Sequence, residues 1–124
     1  FKDIVSGRMN SQPLVTIAPQ QSVASAVELM TRFDIEHIPV MNDGLVMGSI
    51  SENGLFQKVF SDPDIKNASV ESVMEPGFPV VDFNTPVERL RTLINKENGA
   101  VLSRDEAGNY HIVTKYDVIQ SLAG

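Results

Sequence analysis

The stretch Tyr110-His111-Ile112-Val113-Thr114-Lys115-Tyr116-Asp117-Val118-Ile119 decides how the chain is read. Its apolar, β-branched first half reads as a strand ending at Thr114, and a helix-compatible run starts directly after it. Strand therefore feeds helix with almost no loop, which makes Thr114 the helix N-cap. Thr114 and Asp117 stand three apart, so a hydroxyl and a carboxylate meet over the first helical turn. One reading is a capping box, in which each side chain satisfies a free backbone N–H. The other is a ligand site: a helix N-terminus favours an anion, and a carboxylate beside it can hold the two hydroxyls of a ribose.

Moving outward, Ala100-Val101-Leu102 and Tyr110-His111-Ile112-Val113 read as strands joined by a polar turn from Arg104 to Asn109. Pro79-Val80-Val81-Asp82 is a further strand, and Thr85, Pro86 and Glu88 supply N-cap, N1 and N3 of a helix. Val87, Leu90, Leu93 and Ile94 form that helix's apolar face, and Asn98-Gly99 its stop. The last helix is expected from about Lys115 to Leu122.

The same order stands earlier in the chain. Pro13-Leu14-Val15-Thr16-Ile17 reads as a strand, and Ser22 caps a helix whose stripe is Val23, Ala26, Val27 and Met30. Ile38-Pro39-Val40-Met41 and Leu45-Val46-Met47-Gly48-Ser49-Ile50 form a hairpin about Asn42-Asp43-Gly44. Leu55 to Phe60 is the closing helix. Val23 falls on Val87, Leu29 on Leu93 and Met30 on Ile94, each 64 residues on, while Ile50 falls on Val113 and Ser51 on Thr114, 63 residues on. The expected architecture is mixed α/β (α+β): two β-α-β-β-α copies, residues 1–62 and 63–124. Each copy alone has a thin core, so the two are expected to pack with pseudo-two-fold symmetry through their sheets.

Bulk properties narrow the function classes. At 124 residues with 42% apolar and 21% charged content, the chain is an ordinary globular one. A net charge of −6 argues against nucleic acid, which needs a basic footprint. No apolar run approaches the roughly 18–20 residues of a membrane span. The absence of cysteine removes disulfides and thiolate chemistry and fits the cytoplasm. The chain opens on Phe1 rather than Met, which suggests a piece of a longer protein.

The duplicated β-α-β-β-α order, His37-Ile38-Pro39-Val40 before a turn, and the junction Ile112-Val113-Thr114-Lys115-Tyr116-Asp117-Val118 resemble the cystathionine-β-synthase (CBS) domain family. The resemblance is specifically to a tandem pair, a Bateman module, and it covers essentially the whole chain. It implies a regulatory module attached to an enzyme, channel or transporter. Such a module binds AMP, ADP, ATP or S-adenosylmethionine in clefts between the copies, and commonly forms a homodimer. By that resemblance Thr114 is the ligand-contacting hydroxyl and Asp117 the carboxylate for the ribose. Asn98, Gly99 and Ala100, with Leu14, Val15 and Thr16, supply backbone groups and apolar walls for an adenine ring, and Ser11 also lines the cleft.

The first copy departs from the pattern. Ser51 keeps a hydroxyl where Thr114 stands, but Gly54 replaces the aspartate, and His37 and Val80 complete a degenerate second cleft. A charge-assisted hydrogen bond is worth about 1.5–3 kcal/mol, so one competent and one weak site are expected. Lys115 and Arg104 are the nearest cations for a phosphate, and their scarcity favours AMP or S-adenosylmethionine over ATP. The closing stretch Asn109 to Gln120 is also similar to the C-terminal end of bacterial cystathionine β-synthase-like, pyridoxal-phosphate-dependent enzymes, which implies a catalytic domain upstream.

No nucleophile elbow, P-loop, dinucleotide fingerprint or acid–base constellation is present, so no intrinsic catalysis is expected. Two scattered histidines, His37 and His111, without cysteine, argue against a metal site. His37 reads chiefly as a strand-edge polar residue. Asp62, Asp64, Asp105 and Glu106 sit in turns where solvation explains them. Two functional readings remain: an adenosine-ligand sensor, and a ligand-free dimerisation or scaffold module in which Thr114 and Asp117 only cap a helix.

Overall fold

Two antiparallel hairpins frame the fold in a computed structural model that describes residues 14–95 and 99–123. The described chain falls into two compact units, one spanning Val15–Gly77 and the other built from Phe78 onward. Together they give a mixed α/β fold with two separate sheets.

In the first unit, helix α1 (Val23–Phe33) starts at Ser22, whose Oγ accepts from the Ser25 N–H at 3.1 Å. It ends at Asp34, which takes the left-handed conformation (φ 52°) and donates its N–H to the Met30 carbonyl. Strands β1 (His37–Asn42) and β2 (Leu45–Ser51) pair antiparallel. Their turn is Asp43-Gly44, both at positive φ (52° and 78°), the conformation whose twist matches the flanking strands. Pro39 stands opposite Ser49. Ser49 gives its N–H and carbonyl to Glu75 instead, at 2.9 and 2.8 Å, so the N–H that Pro39 lacks costs the hairpin nothing. Helix α2 (Glu52–Ser61) follows β2 without a loop. It starts three residues before the expected Leu55, because Gly54 lies in the first turn, where its cost to the helix is least felt.

Among the described residues of the expected opening strand, Leu14 to Ile17, one rung remains. Ile17 bridges Val40 in parallel, donating its N–H to the Pro39 carbonyl at 3.1 Å and accepting from the Met41 N–H at 2.9 Å. A turn closed by Gln21 N–H to the Ala18 carbonyl then draws the chain out of the sheet. Beyond α2, two short 3₁₀ turns (Pro63–Asn67 and Val70–Ser72) carry the chain back to the start of α1, where the Val23 N–H donates to the Ala68 carbonyl at 2.9 Å. Val70 and Val73 join Ile17, Val23, Ile38 and Val40 in its core.

In the second unit, β3 (Val80–Asp82) runs parallel to β4 (Ala100–Arg104), and β5 (Tyr110–Thr114) pairs antiparallel with β4. The register repeats the first hairpin. His37 faces Ser51 and Ile38 faces Ile50 in one; Ala100 faces Thr114 and Val101 faces Val113 in the other. The Ile17–Val40 bridge has its counterpart in Val81–Ser103. The duplication read from the sequence is therefore present rung by rung.

Helix α3 (Val87–Leu93) is shorter than expected at both ends. Thr85 does not cap it: the Thr85 hydroxyl and N–H both go to the Asp82 carbonyl, at 2.6 and 3.0 Å. Pro86 takes the cap position with no side-chain bond. At the other end β-branched Thr92 and Ile94 weaken the last turn, and Ile94 is already extended. Helix α4 (Lys115–Ala123) follows β5 directly, as expected. Leu90, Val101, Val113 and Val118 form the second core.

Both tyrosines, Tyr110 and Tyr116, lie in the second unit, and the chain has no tryptophan. Leu90 is fully buried there. Leu90→Ala is expected to cost about 2–5 kcal/mol, seen as an earlier urea midpoint in tyrosine fluorescence. An unchanged midpoint would contradict this core assignment.

Two strand-to-helix junctions as candidate functional site

The second unit's junction is a closed reciprocal cap. Thr114 donates its N–H at 2.8 Å and its hydroxyl at 3.0 Å to Asp117 Oδ2. The Asp117 N–H points back to Thr114 Oγ1 at 3.5 Å. Both residues are half-buried. Ala100 faces Thr114 across the hairpin and is fully buried, with half-buried Gly99 just before it. The structure thus gathers Thr114, Asp117, Ala100 and Gly99 at one junction. Leu14, Val15 and Thr16 lead into the Ile17 bridge as irregular chain, Leu14 and Val15 half-buried and Thr16 exposed. Ser11 and Asn98 lie outside the described residues.

The cations proposed for a phosphate fare differently. Arg104 donates Nε to the Gly108 carbonyl at 3.3 Å and stacks over the Tyr110 ring, so it serves its own hairpin. Lys115 is exposed at the start of α4. Asp105 is more than a solvated turn residue. Its carboxylate meets His111 Nε2 at 2.8 Å and accepts from the Asn109 N–H at 2.9 Å. The His111 hydrogen bond, followed by those from backbone N–H groups, holds the Asp105 carboxyl below its ordinary value.

The first unit's junction holds a residue that the sequence reading missed. Ser51 Oγ accepts from the Gly54 N–H at 3.1 Å, so the serine caps α2 as Thr114 caps α4. Where the second unit has Asp117, the first has Gly54, and a carboxylate arrives from elsewhere. Glu75 Oε1 lies 3.4 Å from the Ser51 hydroxyl, and a Cβ on Gly54 would collide with it. Residues Val73 to Gly77 form a strap along β2. Its anchors are the paired Ser49–Glu75 backbone bonds, the Ser49 hydroxyl donating to the Pro76 carbonyl at 2.7 Å, and Lys58 Nζ donating to the Val73 carbonyl. A Cβ on Gly48 would stand 2.7 Å from the Glu75 carbonyl oxygen, so this close crossing requires glycine. Gly48 was the available signal: a glycine inside a strand often marks a close backbone approach.

His37 faces Ser51 across the hairpin and is half-buried. Burial pushes its pKa down, against the pull of the Glu36, Glu75 and Glu52 carboxylates. Val80 is exposed on β3 in the other unit. Among the described residues no group of three or more His, Asp or Glu could hold a metal ion, and no helix is long and apolar enough to cross a membrane.

Gly54→Ala displaces the flexible end of Glu75 from the Ser51 hydroxyl, and that loss opposes the gain of up to about 1 kcal/mol that alanine brings to a helix. In Glu75→Ala the same substitution should be more favourable than in the parent, measured as a non-additive double-mutant cycle in chemical denaturation. For His37, the folded pKa lies below the ordinary 6.5, so the unfolded chain takes up the proton first as pH falls. The stabilising contribution of neutral His37 is whole above about pH 6.5 and declines below it. Urea titrations followed by circular dichroism between about pH 7.5 and 5.5 should show a shallower decline in His37→Gln than in the parent.

Residues 2–61 match the family model described as the CBS domain. No curated protein matches the sequence. Among solved structures, the CBS-domain containing protein ATU1752 from Agrobacterium tumefaciens is similar with a TM-score of 0.83 at 20% identity, covering 98% of this chain and 97% of that one. The CBS domain pair of protein MJ0100, in complex with 5′-methylthioadenosine and S-adenosylmethionine, gives 0.78 at 22% identity over 99% of this chain and 94% of that one. CBSX2 in complex with AMP gives 0.69 at 26% identity over 89% and 87%. Residues 2–61 are matched as a CBS domain, and across both units the fold is that of a CBS-domain pair.

Proposed function

We propose that this chain is a regulatory module that binds an adenosine-containing ligand at the Thr114–Asp117 junction. The ligand would bias an attached or partner enzyme or transporter by favouring one arrangement of the two copies. One observation carries the reading. A hydroxyl, a carboxylate and the first N–H groups of α4 meet at the end of β5, beside buried Ala100. They do so in a fold that CBSX2 presents with AMP and the MJ0100 pair with 5′-methylthioadenosine and S-adenosylmethionine. In this reading Asp117 accepts from the ribose hydroxyls, and the α4 N-terminus faces the anionic end of a nucleotide. Gly99 and Ala100, at the same junction, lie against the base. Arg104 is spent on its hairpin, so triphosphate has little cationic support and AMP or S-adenosylmethionine fits better than ATP or ADP. The chain itself then performs no catalysis and acts in the cytoplasm as a homodimer, joined to a catalytic or transport domain.

A second reading has its own support. Both donors of Thr114 end on Asp117 Oδ2, which is what a purely structural cap needs. Exposed Phe56 and Phe60, and exposed Tyr116 and Ile119, give α2 and α4 apolar faces of the kind a ligand-free dimerisation or scaffold module uses.

A thermal-shift series with AMP, ADP, ATP and S-adenosylmethionine separates the two. A ligand at 100 times its Kd is expected to stabilise by about 2.7 kcal/mol. Asp117→Ala should abolish that ligand-induced shift, whatever it does to the unliganded Tm through loss of the cap. No shift with any of the four, or a shift that survives Asp117→Ala, rejects the sensor reading in favour of the scaffold.

A further inference from the structure

We infer that Glu75 is a built-in occupant of the first unit's junction, and that the strap Val73–Gly77 closes this junction to anionic ligands. The inference rests on reading the strand-to-helix junctions as ligand sites, and gives the first one a physical state. Absence of an aspartate at Gly54 does not leave this junction without a carboxylate. Glu75 Oε1 sits over Gly54 and 3.4 Å from the Ser51 hydroxyl, so the same pairing of hydroxyl and carboxylate is assembled from two distant segments. The difference lies in how the carboxylate is held. Asp117 hangs from the helix that it caps. Glu75 belongs to a strap hydrogen-bonded to Ser49 through both backbone groups and again through the Ser49 hydroxyl.

Three features make this closure rather than a chance contact. Gly54 and Gly48 each leave the space that the strap fills, one for its side chain and the other for its backbone. The Lys58 ammonium is committed to the Val73 carbonyl at the near end of the strap, which withdraws from the junction the cation that α2 could offer a phosphate. The depression lined by Ser49, Ser51, Lys58, Val73 and Glu75 is partly open to solvent and has no interior room for a water molecule. A phosphate approaching the α2 N-terminus would therefore meet the Glu75 carboxylate, carried on a backbone-anchored strap, in the place of its counter-charge. A one-site module results, with the second site filled by the chain itself.

The test is a ¹⁵N-resolved NMR titration of the whole chain with AMP, following the Gly54 and Asp117 amides in the parent and in Glu75→Ala. In the parent, Gly54 should stay in place to millimolar AMP. In Glu75→Ala it should move saturably, with an apparent affinity at least about tenfold above the parent's limit. Slow exchange of the Ser49 amide in Glu75→Ala shows that the strap remains seated. Where that protection is lost, Glu75→Gln supplies the same comparison with the charge removed and the shape kept. Gly54 moving equally in parent and variant, or remaining still in both, overturns the inference. The Asp117 amide reports separately. If it is silent while Gly54 responds only in the variant, the Thr114–Asp117 site falls and the closure by Glu75 stands.

Discussion

A strand that runs into a helix without a loop leaves the helix's first N–H groups beside the sheet, and something must accept from them. Both units of this chain are built on that constraint. Ser51 and Thr114 each end a strand, cap a helix and stand at the same rung of their hairpins. Register, cap and helix direction are therefore fixed together, because moving the strand by one residue would turn the capping side chain to the other face of the sheet. The two cores can differ in composition as long as these rungs hold.

The two copies meet the constraint with different economies of chain. In the second, Asp117 completes the cap within four residues. In the first, the carboxylate is Glu75, and its delivery requires two 3₁₀ turns, two closely crossed glycines and an added rung on Ser49. The cation at hand, Lys58, is drawn to the strap rather than to the cap. Electrostatically both helices begin beside a negative group, as the helix dipole favours. What distinguishes them is whether that group travels with the helix or lies on a separate segment.

Much of this was legible because local chemistry and global order agreed. Asp43-Gly44 supplied the positive φ of a two-residue turn, and Ser22 capped α1 from the position the pattern gave it. The offsets of 64 and 63 residues reappeared as identical hairpin registers. The errors came where distant groups intervene. Thr85 has every local mark of an N-cap, yet the Asp82 carbonyl claims its hydroxyl. Pro13 to Ile17 has strand composition, yet among its described residues, Leu14 to Ile17, only Ile17 forms a β-bridge. Gly54 looked like the loss of a function, because the residue that replaces the missing carboxylate is 21 positions further along and in no periodic relation to it. At the Thr114–Asp117 site, spacing alone showed that hydroxyl and carboxylate would meet, and the hydrogen bonds show how.

The added rung between Ser49 and Glu75 also sets an order of assembly. Until that rung forms, β2 presents unpaired backbone groups along one side, and such an open edge recruits other chains. During synthesis, at about 5–20 residues per second, the hairpin and α2 emerge before Glu75 does. The unit that was duplicated and the unit that can shield itself are thus different lengths of chain. A fold made of two similar halves still has a direction in time, since the first half stays open on one flank until the chain has passed into the second.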